Sequence, residues 1–279
     1  MTDYQTKLAE LKSRLLEIAD LNAAASVLAW DQATYMPPGG AAARGRQIAL
    51  LSKLAQEKFI DSTIGKLLDD LRPYEESLPY DDDDASLIRV TRREYERALR
   101  VPPEFMARFN AHSSQAFMAW AEARPADDFK KVQPYLEKTL DLSRELANFF
   151  PGYEHIADPL IDFADYGMKV STVRKLFAEL RAAQVPIVQA ITAQEPADDS
   201  CLRKHYPEQA QLAFGAEVVR HLGYDFQRGR IDKTHHPFAT SFSIGDVRIT
   251  TRVKETILAN AYSRISTKPV MRCMSKAWM

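Results

Sequence analysis

At 279 residues, with 46% apolar and 27% charged residues, the chain has ordinary globular composition and enough length to bury one large core or two ordinary ones. A net charge of −1 gives no electrostatic reason to expect nucleic acid or an anionic membrane as partner, and no apolar run approaches membrane-spanning length. The two cysteines, Cys201 and Cys273, lie too far apart to read as a disulfide framework, and Met1 to Lys7 lacks the basic region and apolar core of a secretion signal, so a soluble cytoplasmic protein is expected.

Asp3 to Ala33 reads as a long amphipathic helix. Leu8, Leu11, Leu15, Ile18, Leu21, Ala25 and Leu28 follow three-and-four spacing, and Pro37-Pro38-Gly39-Gly40 ends it. Ala41 to Phe59 reads as a second helix, and Asp61-Ser62 caps a third to about Leu71, with a polar loop expected from Pro73 to Tyr80. Asp81 to Asp84 opens a helix to Arg100; four carboxylates suit a helix N-terminus, and the spaced ligands and glycine of a calcium loop are missing. Pro102-Pro103 opens the next helix, to about Ala123, with Phe105, Phe109, Phe117 and Trp120 spaced to pack on a neighbour. Asp127 to Phe150 is helical again, with Val132, Leu136, Leu140 and Leu146 expected inward. Tyr153 to Met168 reads as loop with short helical turns, Ser171 as cap of a helix to about Gln194, and Pro207 to Gly223 as one more helix.

The pattern changes at about Ala239. Thr240 to Ser243 and Val247 to Thr251 alternate and are rich in β-branched residues, with Ile244-Gly245-Asp246 between them, which predicts a hairpin. The expected fold class is therefore all-α, mainly helical, with one short β-hairpin near the C-terminus. An unpaired hairpin edge beside a cleft can hold an extended peptide.

Three segments stand out in order: Trp30-Asp31-Gln32-Ala33-Thr34-Tyr35-Met36-Pro37-Pro38-Gly39-Gly40, then His236-Pro237-Phe238, then Asp246-Val247-Arg248-Ile249-Thr250-Thr251. Together they resemble the carboxypeptidase Taq family of zinc metallocarboxypeptidases, over residues 1 to about 261, roughly the N-terminal half of a family member. The resemblance implies a zincin-like fold, release of C-terminal amino acids from peptides with broad specificity and avoidance of proline at the cleaved end, and zinc or cobalt as cofactor. It also implies a homodimer, and a helix bearing His-Glu-x-x-His soon after the Asp-x-Arg-x-Thr segment. On such a helix two imidazoles four residues apart bind one metal ion, and the glutamate beside them serves the metal-bound water as general base.

That motif is not in this sequence, which continues Ala261-Tyr262-Ser263-Arg264-Ile265-Ser266. The six histidines are His112, His155, His205, His221, His235 and His236, and no two stand three or four residues apart. No metal ligand and no catalytic residue is therefore assigned, and no cofactor is expected in this chain. A permitted codon series for Ala261 to Met279, given a single C after its first codon, reads Ala-Leu-Phe-Ser-Tyr-Ile-His-Glu-Ala-Gly-His. Residues 262–279 are accordingly expected to be an out-of-frame tail, poorly ordered, and residues 1–261 the N-terminal helical part of a metallocarboxypeptidase domain. The nucleotide sequence past codon 261 tests this.

The candidate substrate-binding residues are His236, Asp246, Arg248 and Thr250. The Arg248 guanidinium offers a planar fork for a peptide's terminal carboxylate, or it pairs with Asp246 two residues away and orients the hairpin. His236, held extended by Pro237, lines a cleft wall or packs on Phe238. Asp31 is expected to fix a helix end or to hydrogen-bond within the core. Cys201, with His205 four residues on, follows an acidic loop and has no recognisable partner for nucleophilic chemistry. The reading from a different class is a helical fragment without activity, acting as an oligomerisation or binding module.

Overall fold

A computed structural model describes residues 3–234 and 236–258; the readings on His235 and on the 262–279 tail lie outside them. Nine α-helices and three strands are found among the described residues, in two compact units, one formed by the segments up to Pro79 and from Ala197 onward, the other by Tyr80–Pro196.

In the discontinuous unit, α1 (Asp3–Thr34) packs against α2 (Ala41–Phe59) and α3 (Ser62–Ser77). Leu8, Leu11, Ile18 and Ala25 of α1 are buried with Ile64, Leu67, Leu68 and Leu71 of α3, each large side chain contributing about 1.5–3 kcal/mol. Asp61 caps α3 by accepting from the Thr63 amide at 2.7 Å. The helix does not stop at Leu71 as the sequence suggested but runs through Pro73 to Ser77. Pro73 removes one backbone bond near the end, and the next residue, Tyr74, stacks on Tyr4 with ring centroids 5.6 Å apart, holding the last turn against α1.

α9 (Glu208–His221) ends at Gly223, whose φ of 85° suits a residue without a side chain. The strands follow: β1 (Gly229–Lys233), β2 (Ala239–Ser243) and β3 (Asp246–Thr251), in sheet order β1-β3-β2. The hairpin expected from the alternation is β2 with β3, antiparallel. β1 lies in the stretch between Gly223 and Ala239 to which the sequence pattern assigns no element, and it pairs in parallel with β3, Arg230 opposite Arg248 and Asp232 opposite Thr250. One sheet face is apolar: Ile231, Val247, Ile249 and Ala239 pack with Val219 of α9, Tyr224 and Phe226.

The continuous unit holds α4 (Asp83–Arg100), α5 (Pro103–Ala123), α6 (Phe129–Asn148), α7 (Asp158–Asp162) and α8 (Val170–Thr192). Asp82 caps α4, accepting from the amides of Asp84 and Ala85 at 2.9 and 3.2 Å, as the acidic run predicts. The inward face of α6 is rotated from expectation: Leu136 and Leu140 are exposed, whereas Leu142 and Ala147 are buried. The cause is polar. His112 of α5 is buried, and its Nε2 lies 3.1 Å from the Tyr135 carbonyl and 2.9 Å from the Thr139 hydroxyl, which sets that side of α6 against α5. The segment before α8 is held by Asp158, whose carboxylate accepts from the amides of Val170, His155 and Glu154 at 2.8, 2.9 and 3.2 Å. Those bonds, with Val170's the largest cause, hold its pKa below the usual carboxylate range.

Candidate functional site

The second face of the sheet meets the end of α1. Its residues alternate with the apolar set: Arg230 and Asp232 on β1, Thr240 and Phe242 on β2, Asp246, Arg248 and Thr250 on β3. Trp30, buried near the end of α1, lies against them. The Arg248 guanidinium carbon sits 4.2 Å from the Trp30 ring centroid and 4.9 Å from that of Phe242, and the Arg230 carbon 5.4 Å from Trp30. A guanidinium over an indole face is attracted by the ring quadrupole, worth about 0.5–2 kcal/mol.

Two cations abreast on one face repel, and each is neutralised by its own aspartate. Arg248 donates from Nε and Nη2 to Asp246 at 3.0 and 2.8 Å. Arg230 donates from Nε and Nη2 to Asp232 at 2.8 and 2.7 Å. Asp232 is buried and also accepts from the Tyr35 hydroxyl, while Arg230 Nη2 reaches the Tyr35 oxygen at 3.1 Å. Donation to Asp232, then burial, pushes the Tyr35 phenol above its usual range, and the hydrogen bond to Asp232 likewise raises Arg230. Thr234 closes the corner, its hydroxyl donating to the Ala33 carbonyl at 3.0 Å. Asp31, one residue past Trp30, receives Arg44 Nη1 at 2.7 Å, and the same nitrogen donates to the Leu28 carbonyl at 2.8 Å. The Trp-Asp-Gln-x-Thr-Tyr segment thus docks on the sheet through Trp30 and Tyr35 and is tied to α2 through Asp31.

Of the four residues singled out from sequence, three converge. Asp246 and Arg248 form the ion pair above, Arg248 being the more enclosed at 18% side-chain exposure against 52% for Arg230. Thr250 is fully buried, its hydroxyl accepting from the Phe238 amide at 2.7 Å and donating to the Phe238 carbonyl at 2.8 Å. It therefore anchors the His236-Pro237-Phe238 segment. His236 itself is exposed on that segment. Tyr35, Arg230 and Asp232 were missed. Gly229-Arg230-Ile231-Asp232-Lys233 alternates, but it is five residues long with one strong β-former, and its strand character comes from pairing with β3.

The donors on this face, two arginines, two engaged aspartates, a tyrosine and a buried threonine, do not fit a zinc or cobalt ion. Among the described residues no three His, Cys, Asp or Glu side chains cluster to hold a metal. The arrangement is suited instead to presenting guanidinium N–H groups at fixed orientation beside an aromatic surface, which is how planar anions such as carboxylates are recognised.

The fold is a helical framework with a small mixed sheet bearing an arginine–tryptophan face, and comparison with known proteins makes the class definite. Residues 10–266 match the model of the carboxypeptidase Taq (M32) metallopeptidase family, and the chain belongs to that family. It is 35% identical to thermostable carboxypeptidase 1 of Thermus thermophilus over 254 residues, covering 86% of this chain and 49% of the relative. To carboxypeptidase 1 of Bacillus subtilis it is 32% identical over 242 residues, again 86% of this chain and 48% of the relative. The crystal structure of the M32 carboxypeptidase from Deinococcus radiodurans superposes with a TM-score of 0.82 at 43% identity, covering 95% of this chain and 52% of that one. The chain thus spans about half the length of the relatives it matches. No helix among the described residues is long and apolar enough to cross a membrane.

Proposed function

We propose that this chain is the N-terminal portion of a metallocarboxypeptidase that releases C-terminal amino acids from peptides, and that the 279 residues alone do not hydrolyse peptides. Arg248, fixed by Asp246 and the Trp30 ring, faces the substrate's terminal carboxylate. Thr250 holds His236-Pro237-Phe238 as the adjoining wall. The observation that carries the reading is the mismatch between membership and ligands: a metallopeptidase family match over residues 10–266, in a sequence with no two histidines three or four residues apart. The family's metal, zinc or cobalt, generates the attacking hydroxide from bound water. Without ligands to seat it, the rate falls to that of uncatalysed peptide hydrolysis, many orders of magnitude below an enzyme's. Hydrolysis requires a His-Glu-x-x-His helix that this sequence does not contain. Cytoplasmic location and a homodimer joined through the N-terminal helices accompany this reading.

The test incubates the purified chain with zinc or cobalt and a blocked dipeptide, beside the same gene with one C restored after codon 261 and translated to the end of its frame. Release of the terminal amino acid by the restored protein only is the expected result. Metal-dependent release by the 279-residue chain refutes the proposal.

A further inference from the structure

α8 is built unlike its neighbours. α4, α5 and α6 each bury side chains, whereas α8, 23 residues long, buries none. Its exposed large apolar side chains are Leu176 49%, Phe177 65%, Leu180 49%, Val185 41%, Ile187 58%, Val188 56% and Ile191 63%. On a wheel of 3.6 residues per turn all of these but Val185 fall on one arc of roughly 140°, with Val173, Ala183 and the polar Gln184 among them. Val173, Leu176, Leu180, Ala183, Ile187 and Ala190 also keep the alternating three-and-four spacing of a helix–helix seam, small alanines taking its C-terminal half. The borders differ in charge: Arg174 and Arg181 flank the Phe177 edge, and Glu179 the opposite edge.

An apolar strip of this kind exposes about 600–700 Å², above the largest patch of a typical monomer. A contiguous apolar surface of that size marks a site of protein–protein contact. The match covers 95% of this chain but only 52% of the Deinococcus radiodurans structure. A complete member of the fold therefore carries a comparable length of polypeptide beside the part matched here. We propose that the α8 strip is the seam on which that remaining half of the M32 fold docks. The docking element is an apolar helix with large side chains opposite Ala183 and Ala190 and carboxylates along the edge facing Arg174 and Arg181. A second copy of this chain fits less well, because its own α8 would set a border with two arginines and one glutamate against another of the same composition. The proposal rests on family membership, and its readout is binding, so it stands or falls apart from the proposed activity.

The experiment co-expresses the full 279-residue chain with the segment of the Deinococcus radiodurans enzyme that lies beyond the matched half, tagged on that segment. Affinity purification, light scattering and hydrogen exchange of residues 173–191 follow. A 1:1 complex is expected, with amide exchange across α8 slowed at least tenfold relative to the chain alone. Leu180→Asp with Ile187→Asp should weaken binding at least a hundredfold and leave the chain's circular dichroism unchanged, since neither side chain is buried. Leu140→Asp, on the exposed face of α6, should leave binding unaltered. Failure to co-purify, binding indifferent to the α8 substitutions, or α8 protection arising instead from self-association of this chain each overturns the proposal.

Discussion

The same substitution at two glycines should act with opposite signs. A Cβ built on Gly229 would stand 2.1 Å from the Val247 carbonyl oxygen and 2.3 Å from the Tyr224 hydroxyl. The first obstacle is backbone of the paired strand β3 and cannot swing aside. The second is a ring that donates to the Val247 carbonyl at 2.6 Å and the Arg230 carbonyl at 3.1 Å. Gly229→Ala must spread β1 from β3 or displace Tyr224. Overpacking costs about 1–3 kcal/mol, and losing two hydrogen bonds worth about 0.5–1.5 kcal/mol each brings the total to about 2–6 kcal/mol. Gly45 lies within α2 with nothing inside 4 Å of its added Cβ, so Gly45→Ala should gain about 0.5–1 kcal/mol from helix propensity. Because the two units need not unfold together, a local probe is required: Trp30 fluorescence in urea, with Trp120 and Trp278 replaced by Phe. At about 1–3 kcal/mol per molar urea, Gly229→Ala should lower the midpoint by about 1 M or more while Gly45→Ala raises it slightly. An unchanged midpoint for Gly229→Ala would show that the β1–β3 contact is loose and would refute the packing described for the sheet.

Burial pushes the Tyr224 phenol up to about 12 from 10. Its neutral form therefore stabilises the fold fully below pH 10, and that contribution is lost as pH climbs toward 12; Tyr224→Phe should flatten the loss of Trp30 signal across that interval. Thr250→Val, which keeps the shape but strands the Phe238 amide, should cost about 1–3 kcal/mol by the same urea assay, whereas Thr250→Ser keeps the hydroxyl and should cost less. Asp158→Ala frees three backbone amides at once, so hydrogen exchange of Glu154, His155 and Val170 should accelerate at least tenfold with α4 protection unchanged. Equal exchange in both proteins would mean that the carboxylate does not hold this segment.

What the sequence made legible and what it hid divide along one physical line. Helices carry their pattern locally, so α2 appears with the bounds expected and α5 within a residue of them, as does the capping role of the aspartate run before α4. Where a polar contact between elements decides, local pattern fails. Leu136 and Leu140 looked inward by spacing, and the bonds of His112 to Tyr135 and Thr139 turned them out. β1 fails for the same reason in stronger form, since its strand character exists only through β3, 18 residues away in register. The site inherits this division. Arg248 and Asp246 sit two apart on one strand, so their pairing was readable. Tyr35 and Asp232 meet across 197 residues, and nothing near either announces the other. The Trp-Asp-Gln-x-Thr-Tyr segment could be recognised as a motif without its purpose being visible. Its purpose is to bring an indole and a phenol onto two arginines contributed by distant strands, and only the tertiary fold supplies the second half of that contact.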